Sequence, residues 1–288
     1  MISDLEQQMK LLDGKTAVIT GSSRGLGLAI AQAFAQAGAK VVLAARSEST
    51  LMQAVDQLKA QGFEAIGMVC DTSNLHDVEM LANKAVSAFG RLDIWVNNAG
   101  VSGPYGTTIS LSPERFKRVI DTNILGTYYG SHAAMRIFLE QGSGKLINLL
   151  GRGADGPVPF QNAYAASKIW VMSFTKALAK EYSKSGVEVM AFNPGLTITE
   201  MLTQVEVIPG FEKSVAPLAT VMQIWGNPPQ MPAQKALWMA SSATDGKTGL
   251  TVNFLSTRRM MAGLGRELLR RITGKPPTVP PMQVHTVK

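Results

Sequence analysis

Thr16-Ala17-Val18-Ile19-Thr20-Gly21-Ser22-Ser23-Arg24-Gly25-Leu26-Gly27 decides the architecture. The first five residues are a compact, β-branched apolar run, the pattern of a buried strand. An Ala-rich segment with helical periodicity then continues to about Ala37. A strand that turns through glycines into a helix aims several backbone N–H groups, and the positive end of the helix, at one point. That point suits a phosphate, and glycines keep side chains from blocking its approach. Gly21, Ser23, Arg24, Gly25, Leu26 and Gly27 are therefore candidate contacts to a dinucleotide.

Reading onward, Lys40–Ala44 is a second strand, and the four residues at its end are Ala44, Ala45, Arg46 and Ser47. A carboxylate there would hold ribose hydroxyls and favour NAD. None is present, and Arg46 and Arg24 offer two guanidinium groups suited to a 2′-phosphate. Either arginine alone is equally a solvent-exposed side chain; both together, with the acid missing, favour NADP. The alternation then repeats: helix at about 48–61, strand at about 64–69, helix at about 75–89, strand at Leu92–Val96. Such a rhythm predicts an α/β fold, one doubly wound parallel sheet with helices on both faces. Ligands of such sheets collect at the carboxyl ends of the strands, where Asp71, Thr72 and Asn98-Ala99-Gly100 fall.

Ser112-Pro113-Glu114 is a helix start with a serine cap and proline in the first turn. The helix that follows carries Asn123 in an apolar stretch, where it serves as a satisfied structural amide or as part of a site. Lys145–Leu150 and Val187–Phe192 read as the fifth and sixth strands, and a long helix opens between them at Tyr164 and runs to about Tyr182. Tyr164 and Lys168 are four apart and share a helix face. An ammonium beside a phenol favours phenolate and draws its pKa down from about 10, which suits proton transfer to a carbonyl oxygen. By itself such a pair is also an ordinary feature of helix surfaces. An irregular stretch, 196–232, contains Met201, Trp225 and Pro228-Pro229 and reads as a substrate-binding segment. A last helix at about 232–241 and strand at about 250–254 complete the sheet.

In register, these pieces resemble the short-chain dehydrogenase/reductase family across about residues 12–255, placed as one Rossmann-type domain over 1–255. The resemblance rests on Thr20-Gly21-x-x-x-Gly25-x-Gly27, Asp71, Asn97-Asn98-Ala99-Gly100, Asn123, Tyr164-x-x-x-Lys168 and Pro194-Gly195 with Thr199. It implies that Tyr164 transfers the proton, that Lys168 lowers its pKa and holds the nicotinamide ribose, and that Asn123 holds the water of a proton relay. It further implies that Asp71 contacts the adenine and that Pro194, Gly195 and Thr199 hold the nicotinamide end. A homodimer or homotetramer follows from the same likeness, built partly from the helices that carry Asn123 and Tyr164.

The family's usual serine, thirteen residues before the tyrosine, is here Gly151, and Asn148 to Asp155 contains no Ser or Thr. Losing such a donor typically costs about 10²–10³ in rate. Arg152, Asp155, Asn162 and Tyr105 are candidates to replace it; a self-polarising substrate, or lost chemistry, are the alternatives. Gly151, Arg152 and Asp155 are the substrate candidates, and Gly151-Arg152-Gly153 reads either as room for a bulky or anionic substrate or as a surface turn.

Composition bounds the rest. The 288 residues carry a net charge of +7, but Arg258–Lys288 holds seven basic side chains and one acid, so the body is nearly neutral and nucleic-acid binding is not expected. Cys70 alone excludes an internal disulfide framework, and three scattered histidines (76, 132, 285) suggest no metal. With Asp4 and Glu6 in a polar lead-in over 1–14 and no long apolar run, the expectation is a cytoplasmic protein. The segment 256–288 reads as a basic extension. Its Arg258–Ile272 part has one apolar stripe, expected to pack on its own subunit or a neighbour's rather than on a membrane, and Gly263 and Gly265 weaken it by about 1 kcal/mol each relative to alanine.

The sequence reading is thus an NADPH-dependent ketone or aldehyde reductase, reversible as an alcohol dehydrogenase. Its rivals are a lyase or isomerase that keeps the cofactor as a scaffold, and a silent NADP-binding regulator.

Overall fold

A computed structural model describes residues 11–287. Asp4, Glu6 and most of the polar lead-in lie outside the described residues, as does Lys288. In chain order the main elements are β1 (Thr16–Thr20), α1 (Gly25–Gln36), β2 (Lys40–Ala45), α2 (Glu48–Ala60), β3 (Ala65–Val69), α3 (Leu75–Phe89), β4 (Ile94–Asn97) and α4 (Pro113–Ile120). They continue with α5 (Gly126–Gln141), β5 (Gly144–Leu149), α6 (Asn162–Glu181), β6 (Val187–Asn193), the one-turn α7 (Glu200–Thr203), β7 (Gln204–Val207), α8 (Ala216–Trp225), α9 (Gln230–Ala240), β8 (Thr251–Asn253), α10 (Thr257–Ile272) and β9 (Gln283–Thr286).

Seven strands form one sheet in the order β3-β2-β1-β4-β5-β6-β8, and every pairing is parallel. This is the Rossmann arrangement that the alternation predicted. Alternate residues of one strand feed opposite layers. In β1, Ala17 and Ile19 pack with α1, α2 and α9, while Val18 packs with α3 and α5. Because β1 and β4 are neighbours, the crossovers from β1 run outward in both directions, leaving a crevice at their carboxyl ends. Among the described residues no helix is long and apolar enough to cross a membrane.

Residues 196–232 are far more ordered than an irregular loop. Here β7 pairs in parallel with β9 from the chain's tail, and Val287 N donates to Val207 O at 2.9 Å. Val205, Val207, Val215, Leu218 and Met222 form a separate small core, against which Tyr105, Val279 and Met282 pack. The tail strand went unpredicted because a four-residue strand just after Pro280-Pro281 carries little periodicity, and its partner lies far away in sequence.

Candidate active site

The glycine turn is built by close contacts that only glycine permits. Gly21 and Gly25 have φ of +64° and +59°. A Cβ on Gly27 would lie 2.3 Å from Gly21 O. Asn98 fixes the turn from below, donating from Nδ2 to Thr20 O (2.9 Å) and Gly21 O (3.1 Å). Its amide therefore shapes the turn rather than reaching outward. Helix α1 starts without a side-chain cap and without an acid in its first turn, so its first N–H groups stay available to an anion. Thr199 closes the opposite side, with Cγ2 3.2 Å from the position of a Cβ on Gly25. The residues present thus fit a dinucleotide pyrophosphate.

Around the adenine end, Asp71 accepts from Ser73 N (3.0 Å) and Ser73 Oγ (2.7 Å). Burial pushes its carboxyl up, but these hydrogen bonds and the guanidinium groups of Arg46 and Arg118 leave it below the ordinary range. Arg118, on α4, is a cation the sequence reading did not include; nothing in its sequence neighbourhood marked it. Arg46 and Ser47 are exposed at the end of β2 as expected. Arg24 is ion-paired with Glu200 of α7, so its guanidinium joins the glycine turn to the 196–232 segment. The acid that claims it is 176 residues away, beyond local reading.

At the other end of the crevice, Tyr164 and Lys168 rise from the first turns of α6. Lys168 is buried and donates from Nζ to Leu149 O at 3.1 Å. An ammonium has three protons to donate, so the remaining capacity suits the hydroxyls of a ribose. Its Nζ lies 5.6 Å from the Tyr164 ring centroid. Asn123 is buried inside a π-turn (Asp121–Leu125) that interrupts the α4–α5 helix, a distortion frequent at functional sites. It donates to Val101 O and Ser167 Oγ (both 3.0 Å) and accepts from Val101 N at 2.9 Å. Its side chain thus holds the 100–101 segment that follows β4 near Lys168.

One expectation is reversed. Burial pushes the Tyr164 phenol up to about 12, with Tyr105 adding to the rise, and burial draws Lys168 down to about 8. Desolvation is the leading cause for both groups, and it shifts each towards its neutral form. A phenol that keeps its proton is poised as an acid.

The family described as short chain dehydrogenase matches residues 15–207. The chain belongs to this family. It is 39% identical over 191 residues to an uncharacterized oxidoreductase of Bacillus subtilis, covering 65% of this chain and 53%, about half, of that protein. A 3-ketoacyl-(acyl-carrier-protein) reductase from Brucella melitensis, solved with NADH, superposes with a TM-score of 0.76 at 30% identity, covering 86% of this chain and 99% of that one. A gluconate 5-dehydrogenase from Burkholderia cenocepacia, solved with NADP and tartrate, gives 0.77 at 25% identity, over 89% and 99%.

Gly151, where the sequence resemblance expects a serine, lies directly against Tyr164. A Cβ there would lie 2.2 Å from Tyr164 Oη, so the tyrosine hydroxyl sits where a side chain at 151 would begin. Of the four candidates for the missing donor, Asn162 is engaged by Thr108 Oγ1 (3.1 Å) and Asp155 is exposed. Tyr105 and Arg152 come together instead. Burial raises the Tyr105 phenol, the Arg152 guanidinium beside it draws it back, and the same phenol acts on Tyr164. Tyr105 is fixed by backbone bonds to β7, its N donating to Glu206 O (2.9 Å) and its O accepting from Ile208 N (2.8 Å). Next to it, Phe160 is held at φ +66° and packs on Phe211 at 5.3 Å between ring centroids. Non-glycine residues in this region gather at binding sites. Pro194 is buried, and Gly195, at φ +67°, turns the chain away from β6 towards Thr199. Among the described residues no metal-binding cluster occurs.

Proposed function

We propose that this short-chain dehydrogenase is an NADPH-dependent reductase of ketones or aldehydes, reversible as an alcohol dehydrogenase. The observation that carries this reading is the pairing of half-buried Tyr164 with buried Lys168 at the sheet's crevice, opposite an uncapped glycine turn. When bound, the nicotinamide supplies or takes the hydride. Tyr164 gives its proton to the carbonyl oxygen in reduction, and its raised pKa keeps it in the donating form. Tyr105 donates a second hydrogen bond to that oxygen in place of the family's serine, with Arg152 favouring the polarised state. Lys168 holds the ribose; Gly21 to Gly27, Asp71, Thr72, Ala99, Gly100, Pro194, Gly195 and Thr199 line the cofactor path. Arg46 supports NADP over NAD, since no carboxylate stands at the end of β2.

Substrate-dependent loss of NADPH absorbance across ketones, aldehydes and quinones tests the reading, with Tyr164→Phe abolishing turnover while cofactor binding survives. Arg46→Ala should weaken NADPH at least tenfold and NADH little. Gly151 favours a second reading, an NADP-binding protein without redox turnover; tight NADPH binding with no turnover on any carbonyl would select it. Self-association rests on α5 and α6, where Trp170 stacks on Phe174 at 4.7 Å and Tyr128 and Ile169 are exposed. A cytoplasmic location rests on the single cysteine, whose thiol is buried and unpaired.

A further inference from the structure

The C-terminal helix α10 is turned the opposite way from what water dictates. It docks on α8 through Gly263, where a Cβ would lie 2.4 Å from Ile224 O, and through Trp225 Nε1, which donates to Met260 O at 3.1 Å. Gly263 is therefore a contact rather than a weak point. Glu267, one turn further along the same face, is buried and held by Arg270 and Arg271 at 2.7 and 2.6 Å. The apolar stripe lies on a different face. Met261, Leu264, Leu268 and Ile272, spaced three and four apart, are 64%, 44%, 61% and 73% exposed, and Leu269 beside them is 62% exposed. Soluble helices bury such a stripe, and a contiguous exposed one marks an interaction surface.

Charge identifies the occupant. Arg258 and Arg271 lie on either side of the stripe by helical spacing, Arg266 and Lys275 are exposed nearby, and the segment 258–288 carries six of the chain's net seven positive charges. A second copy would set this charge against its own likeness. An apolar face fringed by arginines matches the interface of a bilayer, where acyl chains lie beneath anionic headgroups.

We propose that α10 lies in the plane of an anionic phospholipid membrane, with Met261, Leu264, Leu268 and Ile272 in the acyl boundary and the flanking arginines at the headgroups. The full chain should co-sediment with phosphatidylglycerol–phosphatidylcholine vesicles but not with phosphatidylcholine alone. Leu264→Gln/Leu268→Gln should lower binding at least about tenfold, and removing Arg258 about fivefold. All three side chains are exposed, so the fold should tolerate these changes. Cys70 is buried with its thiol pushed up to about 12, by burial first and by Asp77 and Asp71. An environment-sensitive dye on Leu268→Cys therefore reports that site alone, and its emission should shift to the blue on anionic vesicles. Failure to bind anionic vesicles, or binding that the leucine variant leaves unchanged, overturns the proposal. So does a leucine variant that instead lowers the oligomer in size-exclusion chromatography, which assigns the face to contact between copies.

Discussion

Placing a serine at Gly151, where the sequence resemblance expects one, should slow this protein rather than improve it. Gly151 does not use a left-handed φ, so its backbone accepts a side chain. The obstacle is Tyr164, whose Oη and Cζ would lie 2.2 and 3.1 Å from the new Cβ. Relieving that contact to an ordinary separation moves the hydroxyl by about 1 Å, and a misplacement of about 1 Å at the reacting atoms costs about 10²-fold, or about 2.7 kcal/mol. Because Oη is the far end of a side chain that can swing, folding stability should change by less than about 1 kcal/mol. Gly151→Ala isolates the steric part, and Gly151→Ser adds a hydroxyl donor to a site where we propose that Tyr105 serves. Measured as kcat/KM on a reducible carbonyl, both should fall about a hundredfold with the melting temperature nearly unchanged. A serine variant faster than the parent would refute the reasoning. It would show that the donor is simply missing and that Tyr105 does not fill its place.

Tyr105→Phe keeps the ring in the small core beneath β7 and removes only the hydroxyl; kcat should fall about 10²–10³ with NADPH affinity intact, and an unchanged kcat would pass the role to another group. Lys168 is charged in the unfolded chain up to about 10.4 but only up to about 8 in the folded one. Between those values the unfolded state binds the extra proton, so stability should rise with pH by about 2–3 kcal/mol relative to Lys168→Met, as read from denaturant midpoints of the cofactor-free protein. Tyr164 works in the other sense above pH 10, since its raised pKa lets the folded state keep a proton that the unfolded state loses; the comparison should stop there. Asn97→Leu should cost about 2–4 kcal/mol by urea unfolding, because it leaves Trp95 Nε1 and Asn148 Oδ1 without their partner at 2.7 and 2.8 Å.

What the sequence disclosed and what it hid divide by range. The strand–turn–helix at 16–36 was legible because its signals are local: a β-branched run, glycines where the backbone must close on itself, and an Ala-rich period. The Tyr164–Lys168 pair was legible for the same reason, since four residues on a helix fix a shared face. Its electrostatics were not, because desolvation is set by everything packed around the pair and reversed the shift expected from the ammonium alone. The Arg24–Glu200 ion pair, the Asn97–Asn148 amide contact and the β7–β9 pairing join residues 176, 51 and about 80 positions apart, and no periodicity announces such partners. The tail shows the sharpest form of this limit. Its amphipathic period was plain, and from the period the apolar stripe was expected to pack on its own subunit or a neighbour's. Which face docks was decided instead by Gly263 meeting Ile224 and by the burial of Glu267 beneath Arg270 and Arg271, contacts whose other halves lie partly outside the helix. A stripe is evidence that some apolar phase covers it; only the fold shows that the phase is not this protein's own core.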